Sequence, residues 1–193
     1  MNLEQIETKA KNNNVPVLRT KSQERLVELV KTKNPKTILE FGTAVGVSAI
    51  LMLNASNATI DTIEIDQERA HQAKENLQSL NLANRANVLV GDAIVLCEQL
   101  QHQNKKYDFV FLDSAKGQYV KLLPYILNLL NPGGVLVADN VLFRGYVYGN
   151  CPKRFKTISK RLKQFIENCK SEKQLKDVEV INIEDGLLVA TKV

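Results

Sequence analysis

Tryptophan is absent from this 193-residue chain, and aromatic residues make up only 6% of it. Long apolar runs are also absent, since none approaches the roughly 20 residues that a membrane-spanning helix needs. The N-terminal residues, MNLEQIE, lack the basic and then apolar pattern of a signal peptide. The missing apolar run argues against membrane insertion, and the missing signal-peptide pattern argues against secretion. We therefore expect a cytoplasmic protein with no membrane partner.

Cysteine and histidine are scarce. Cys97, Cys151 and Cys169 are an odd number of cysteines and form no CxxC pair. This pattern predicts reduced structural thiols. His71 and His102 lie in polar stretches without the spacing of metal ligands. The sequence therefore predicts neither a disulfide framework nor a metal site built on His and Cys.

Positive charge is concentrated near the C-terminus. The net charge is +5 with a pI near 9.0, which permits an anionic partner such as RNA without requiring one. Residues 153–176 carry nine Lys or Arg against two Glu. This segment is either an RNA-facing surface or simply a solvated helix face.

Strand and helix patterns alternate along the whole chain, with no repeat or low-complexity linker. A length of 193 residues fits one α/β domain spanning 1–193, with an N-terminal helical segment over 1–35 and an α/β core over 36–193. Helices are predicted near 22–31, 48–53, 67–80, 93–101, 119–130 and 155–170. Buried strands are predicted at Thr37–Phe41, Thr59–Ile65, Asn87–Gly91, Tyr107–Asp113 and Gly134–Asp139. A final hairpin, Val178–Ile183 and Leu187–Thr191, turns at Gly186.

This order predicts a doubly wound α/β fold. Its sheet is mostly parallel and seven-stranded, with an antiparallel pair at one edge.

Four polar residues follow the fourth and fifth predicted strands. Asp113 ends the fourth strand, with Lys116 three residues later, and Asp139 and Asn140 end the fifth. Ligands of open α/β sheets bind beyond the carboxyl ends of the strands, so these side chains should share one crevice. Oxygen ligands of this kind suit Mg²⁺, and Lys116 would be a general base beside it.

A second group of residues follows the first three strands. The turn from Gly42 to Gly46 reads G-x-x-x-G, not the G-x-G-x-x-G of dinucleotide sites. Glu64 ends the second strand, where a carboxylate can bind a ribose diol, and Asp92 follows the third. Taken singly, Glu64 could be a surface acid and Asp92 a helix cap. Together they favour a nucleoside-type cofactor.

Several motifs resemble one family. ILEFGTAVGVSAI, TIEID, GDA, FLDSAKGQY and NPGGVLVADNVLFRG are similar to the S-adenosylmethionine (SAM)- and Mg²⁺-dependent O-methyltransferases of the catechol and caffeoyl-CoA type. The resemblance covers nearly the whole chain. The sequence around AKGQY and DNVLFRG is most similar to that of the bacterial branch that methylates 5-hydroxyuridine in tRNA.

The resemblance implies a Rossmann-like class I methyltransferase fold and a role for individual residues. Asp113, Asp139 and Asn140 match the magnesium ligands, and Lys116 matches the lysine beside the reacting hydroxyl. The same resemblance implies that Asp113 also takes part in catalysis and contacts the cofactor. The remaining cofactor residues implied by the resemblance are Val17, Gly42, Ser48, Glu64, Asp92 and Ala93.

Two departures from the family pattern stand out. Members usually carry another helix before the segment that matches residues 1–16, and that helix often forms the substrate mouth or a dimer contact. The residues at the entrance to the substrate site are therefore not predicted, and a homodimer stays an open alternative. Catechol-specific members also use a Trp near the D-x-x-K motif, which is Asp113 to Lys116 here. This chain has no Trp.

The acceptor expected from these features is 5-hydroxyuridine in the tRNA anticodon loop, giving 5-methoxyuridine. Arg144 lies among aromatic residues just past Asn140, where guanidinium and ring planes could stack on an unpaired base. The alternative is that Phe143 and Tyr146 pack the loop and Arg144 is solvated. Small catechol-like acceptors, a nonenzymatic RNA-binding role and a dinucleotide oxidoreductase are the competing functions.

Overall fold

The computed structural model describes residues 2–193, which form seven α-helices and seven strands. The chain divides into two compact units, one ending at Leu96 and one beginning at Cys97. Helix α5 (Ala93–His102) contains this boundary. Within residues 2–193, no helix has the length and apolar character to cross a membrane.

The first unit has three parallel strands in the order β3-β2-β1. Its elements are α1 (Leu3–Asn12), α2 (Thr20–Lys33), β1 (Thr37–Phe41), α3 (Val47–Asn54), β2 (Thr59–Glu64), α4 (Gln67–Ser79) and β3 (Ala86–Val90). Ile38, Leu39 and Phe41 of β1 are fully buried. Their apolar side chains explain why this short segment forms a buried strand.

Local signals fix the helix ends in this unit. Asp66 caps α4, because its Oδ1 accepts hydrogen bonds from the backbone N–H groups of Glu68 and Arg69, both at 3.0 Å. Helix α2 ends at Asn34, which adopts a left-handed conformation just before Pro35. Both of these boundaries follow the sequence signals.

The second unit has its strands in the order β4-β5-β7-β6. Its elements are β4 (Tyr107–Leu112), α6 (Tyr119–Leu129), β5 (Leu130–Ala138), α7 (Lys156–Ser171), β6 (Leu175–Ile181) and β7 (Leu187–Lys192), with short 3₁₀ turns at Lys116–Gln118 and Lys153–Phe155. Strands β4 and β5 are parallel, whereas β7 runs antiparallel to both β5 and β6. Helix α7 buries Leu162, Phe165 and Ile166, as its apolar spacing predicts.

The predicted boundaries agree with the structure to within two residues, with two exceptions. Strand β5 begins at Leu130 rather than Gly134, because Leu130 pairs with Tyr107 before the chain bulges through the Pro-Gly-Gly turn. Strand β6 begins at Leu175 rather than Val178. Pairing across a bulge is not visible in local patterns, so the sequence ended a helix at Leu130, read 131–134 as a stop signal and predicted no strand over 175–177.

Within residues 2–193, none of the three cysteines forms a disulfide. Cys97 and Cys169 are buried and Cys151 is partly exposed, and the reduced state of the thiols stays a prediction. Burial raises the pKa of the Cys169 thiol to about 12, which keeps it protonated and unreactive.

Candidate functional site

The first unit forms a tight turn between β1 and α3. Gly42 and Gly46 adopt φ of 98° and 89°, which a side chain would disfavour. The N–H groups of Gly42 and Thr43 both bond to the carbonyl of Ile63, at 2.9 and 3.1 Å. The predicted glycine turn is therefore held against the end of β2.

Ser48 contacts a residue that the sequence analysis did not select. Its hydroxyl donates to the carboxylate of Glu40, which is fully buried and also accepts a bond from Thr62. Thr43 and Thr62 share a further hydroxyl hydrogen bond of 2.6 Å. Glu40 therefore holds the turn through its bonds to Ser48 and to Thr62, which in turn bonds Thr43. A charged residue within an apolar strand was the available signal for it.

Glu64 is oriented by three backbone donors. One carboxylate oxygen accepts from Ala44 N–H at 2.8 Å, and the other accepts from Ile65 and Asp66 N–H at 2.9 and 3.0 Å. The residue is 7% exposed, so the alternative of a solvated surface acid is wrong. These bonds fix a carboxylate at the strand end with lone pairs left for hydroxyl donors.

Asp92 is exposed and caps α5. Its Oδ1 accepts from the N–H groups of Ile94 and Val95 at 2.9 and 3.3 Å, as the helix-cap alternative predicts. A cap leaves the second carboxylate oxygen able to accept another bond, so the cofactor role stays a prediction. Ile65 and Val95 are 71% and 50% exposed, and the sequence analysis did not select them.

The remaining first-unit prediction is Val17. It lies between α1 and α2, partly exposed, and Leu18 beside it is buried. Its role in binding a cofactor stays a prediction.

In the second unit, Asp113 and Lys116 lie next to each other after β4. Lys116 Nζ is 3.8 Å from Asp113 Oδ1, and the two side chains are 23% and 26% exposed. Burial raises the pKa of the Asp113 carboxyl, and the neighbouring ammonium partly offsets that rise. The structure thus brings the predicted base beside a predicted metal ligand.

Asp139 is almost fully buried, with 2% of its surface exposed. Burial and the negative charge of Asp113 raise its pKa to about 7, against smaller opposing effects from Asn140 N–H and Lys116. Within residues 2–193, its Oδ1 has no hydrogen-bond partner. The two neighbouring carboxylates repel each other, and one of their buried oxygens lacks a donor. A bound cation would offset both effects.

The donor set fits a hard divalent cation. Asp113, Asp139 and Asn140 offer only oxygen as ligand atoms on their carboxylate and amide groups. Over residues 2–193, no group of three or more His, Cys, Asp or Glu side chains could hold a metal, so a cation here would need Asn140 or small molecules to complete its shell. Asn140 has a φ of 56°, a strained conformation just past β5.

Tyr119 connects the two strand ends. It is fully buried in α6, and its hydroxyl lies 3.2 Å from the carbonyl of Leu112 and 3.1 Å from that of Asp139. Burial and the charges of the nearby aspartates raise its pKa well above the ordinary value, so the phenol remains a donor. The sequence analysis did not select Tyr119, because its partners are backbone atoms distant along the chain.

Replacing Tyr119 with phenylalanine should lower the free energy of unfolding by about 1–2 kcal/mol, because the buried carbonyls of Leu112 and Asp139 lose the hydroxyl hydrogen bond that they share. Tyr125→Phe is the matched control, since it lies on the same helix and its hydroxyl bonds the exposed Glu98 at 3.1 Å. Urea denaturation of both variants measures the difference. Equal losses would show that the buried hydroxyl has no special role.

The loop after Asn140 carries an aromatic cluster of Phe143, Tyr146 and Phe155. The ring of Phe143 meets those of Tyr146 and Phe155 edge-on at 5.7 and 5.4 Å, and the latter two stack at 5.7 Å. Phe143 and Tyr146 therefore pack the loop, as one alternative predicted. Arg144 is exposed beside them, and its guanidinium is free to meet solvent or a ligand.

Comparison with known proteins identifies the class of this fold and site. The family model described as O-methyltransferase matches residues 1–193. The chain therefore belongs to the O-methyltransferase family. The predicted fold class, a Rossmann-like methyltransferase fold with a mostly parallel seven-stranded sheet, is confirmed.

Particular relatives agree with this assignment. The chain is 35% identical over 115 residues to a catechol O-methyltransferase of Niastella koreensis, a match that covers 58% of this chain and 52% of that relative. The chain thus spans about half the length of this relative. A catechol O-methyltransferase of Mycobacterium tuberculosis is 31% identical over 112 residues, covering 57% of this chain and 50% of its own length.

A solved structure matches over nearly the whole chain. The O-methyltransferase of Bacillus cereus in complex with SAH has a TM-score of 0.90 and 25% identity, and the match covers 99% of this chain and 90% of that one.

Proposed function

We propose that this protein transfers the methyl group of SAM to an acceptor hydroxyl with the help of a divalent cation such as Mg²⁺. The observation that carries the proposal is the buried Oδ1 of Asp139, which has no hydrogen-bond partner among residues 2–193 and lies near Asp113 and Lys116. Perturbed carboxylates grouped with an amine are typical of catalytic sites.

The second unit would hold the cation and the acceptor. Asp113, Asp139 and Asn140 would bind Mg²⁺, which would supply Lewis acidity to the acceptor oxygens. Lys116, as the neutral amine, would take the hydroxyl proton while the acceptor oxygen attacks the methyl carbon. The bond from that carbon to the sulfonium sulfur breaks, and S-adenosylhomocysteine leaves. The donor is already activated, so the protein contributes mainly alignment and charge.

The first unit would bind SAM. Glu64, fixed by its three backbone donors, would accept bonds from the ribose hydroxyls. The Gly42 turn and Ser48 would hold the methionine portion, and Asp92 and Ala93 would meet the adenine. The SAH complex of the Bacillus cereus neighbour supports SAM as the cofactor.

The acceptor we propose is 5-hydroxyuridine of tRNA, whose 5-hydroxyl and 4-carbonyl are adjacent oxygens. Residues 153–176 carry nine basic side chains, all of them exposed, against two acidic ones. The rest of the chain has 17 basic and 19 acidic residues, so this segment supplies the entire positive excess. Clustered exposed cations are the electrostatic signature of phosphate binding.

Replacing Arg144 with alanine should raise the KM for tRNA about tenfold and leave SAM binding unchanged, because Arg144 is exposed in the loop after the predicted metal ligands. Steady-state methylation of tRNA and calorimetry with SAM measure the two effects. Arg69→Ala, a partly exposed arginine of α4 in the first unit, is the control. A similar loss of SAM binding would refute a substrate role for Arg144.

A small catechol-like acceptor is the second candidate, because several relatives are described as catechol O-methyltransferases. Its two hydroxyls would satisfy the same cation. Parallel assays with catechol and with tRNA that contains 5-hydroxyuridine separate the candidates. Activity on catechol alone would select the small-molecule function, and failure to bind SAM would favour a nonenzymatic RNA-binding role.

A further inference from the structure

The loop that follows the predicted metal ligands is held in an unfavourable backbone conformation. Asn140, Phe143 and Arg144 have φ of 56°, 45° and 58°, all in the left-handed region. For Phe and Arg this region is disfavoured by contact between Cβ and the backbone. Such conformations persist only where the surroundings enforce them, and they concentrate at functional sites.

The turn between β6 and β7 supplies that enforcement through one residue. The main-chain carbonyl of Asp185 accepts from the N–H groups of Leu142 and Phe143 at 2.8 and 3.2 Å. Its side-chain Oδ1 accepts from the N–H of Arg144 at 3.2 Å. Asp185 thus accepts hydrogen bonds from three consecutive backbone groups, two of which belong to strained residues.

The next residue of the turn brings the two segments into close contact. The carbonyl of Gly186 accepts from the N–H of Val141 at 3.0 Å. A Cβ built on Gly186 would lie 2.3 Å from Cγ of Leu142, so only glycine permits this approach. On the other side of the loop, the hydroxyl of Ser159 in α7 donates to the carbonyl of Tyr146 at 2.7 Å. The loop is therefore held by both the C-terminal hairpin and α7.

We propose that Asp185 is a positioning residue that fixes the 140–144 loop for acceptor binding, so that the C-terminal hairpin sets acceptor affinity. This role rests on the proposed methyl transfer. The carboxylate of Asp185 bonds the backbone of Arg144 and orients the segment that carries the Arg144 and Phe143 side chains. It acts through the loop, and not on the reacting atoms.

Three variants test the role of the carboxylate. Asp185→Ala removes the acceptor for Arg144 N–H, whereas Asp185→Asn keeps an oxygen in the same place. Glu179→Ala, an exposed acid of β6 in the same hairpin, is the matched control. Melting temperatures of all three establish that each variant is folded before its activity is compared.

Two measurements then decide. With Asp185→Ala, the KM for the acceptor should rise about tenfold while kcat changes less than about twofold, because binding in the ground state and in the transition state weakens equally. Trypsin cleavage after Arg144 should accelerate about tenfold, since the loop is no longer held. Asp185→Asn should restore both values to near wild type, and Glu179→Ala should change neither.

The outcomes separate this inference from the proposed function. If Asp185→Ala matches Glu179→Ala in both KM and proteolysis, the positioning role is wrong. If proteolysis accelerates but KM does not change, the carboxylate orders the loop without affecting the acceptor, and the proposal is also refuted. If the wild-type protein transfers no methyl group, the proposed function fails, while proteolysis still decides whether Asp185 orders the loop.

Discussion

Replacing Asp139 with alanine is expected to lower methyl transfer by at least about 100-fold, because the change removes a buried oxygen ligand from the proposed cation site. Binding of SAM should be retained, since the proposed cofactor residues other than Asp113 all lie in the first unit. Initial rates with saturating Mg²⁺ and calorimetry with SAM measure the two quantities. Glu179→Ala, which removes an exposed carboxylate, should remain fully active.

The loss of activity can be separated from unfolding. The folded-state pKa of Asp139 is about 7, above its ordinary value of 3.8, so the ionised carboxylate destabilises the metal-free fold above neutral pH. Asp139→Asn keeps the shape and removes that charge. Its melting temperature without metal should exceed that of wild type at about pH 8. The gap should close toward about pH 4, where the folded wild type is protonated.

Full activity of Asp139→Ala, or of wild type in excess EDTA, would contradict the metal assignment.

Replacing Lys116 with methionine is expected to lower kcat by about 10²–10⁴-fold, the range typical of a lost general base. The loss should shrink as pH rises, because the acceptor hydroxyl then ionises without help. Binding of SAM should not change. The pH dependence of kcat measures this effect directly.

Lys121→Met is the matched control for this prediction, since Lys121 is an exposed lysine of α6 only five residues away. It should remain within about twofold of wild type. If Lys116→Met loses no more activity than Lys121→Met, Lys116 is not the base.

Much of the fold follows from local sequence. Strand β1 was predicted with the bounds that the structure shows, and α4 was predicted to begin at residue 67, where it does begin. These features depend on neighbouring residues, such as an apolar run or a short polar side chain before a helix. The early start of β5 at Leu130 was missed, because it depends on pairing with Tyr107 across a bulge.

The residues of the proposed site divide in the same way. Asp113, Lys116, Asp139 and Asn140 were selected because strand ends place polar residues at the functional edge of an α/β sheet. Glu40, Tyr119 and Asp185 were not selected. Glu40 accepts from Ser48, Tyr119 donates to backbone carbonyls at the strand ends, and Asp185 accepts from the backbone of residues 142–144. Each of these residues has partners that lie between seven and 43 residues away in the chain, and no local pattern reveals such partners.

The most direct test of the account supplies the purified protein with isotope-labelled SAM, Mg²⁺ and tRNA that contains 5-hydroxyuridine. Nucleosides are then released and analysed by mass spectrometry, with a parallel reaction in excess EDTA. The account predicts labelled 5-methoxyuridine with Mg²⁺ and almost none in EDTA. Label that appears equally in both reactions would contradict the cation, and tRNA without label, together with labelled catechol in the same assay, would contradict the proposed acceptor.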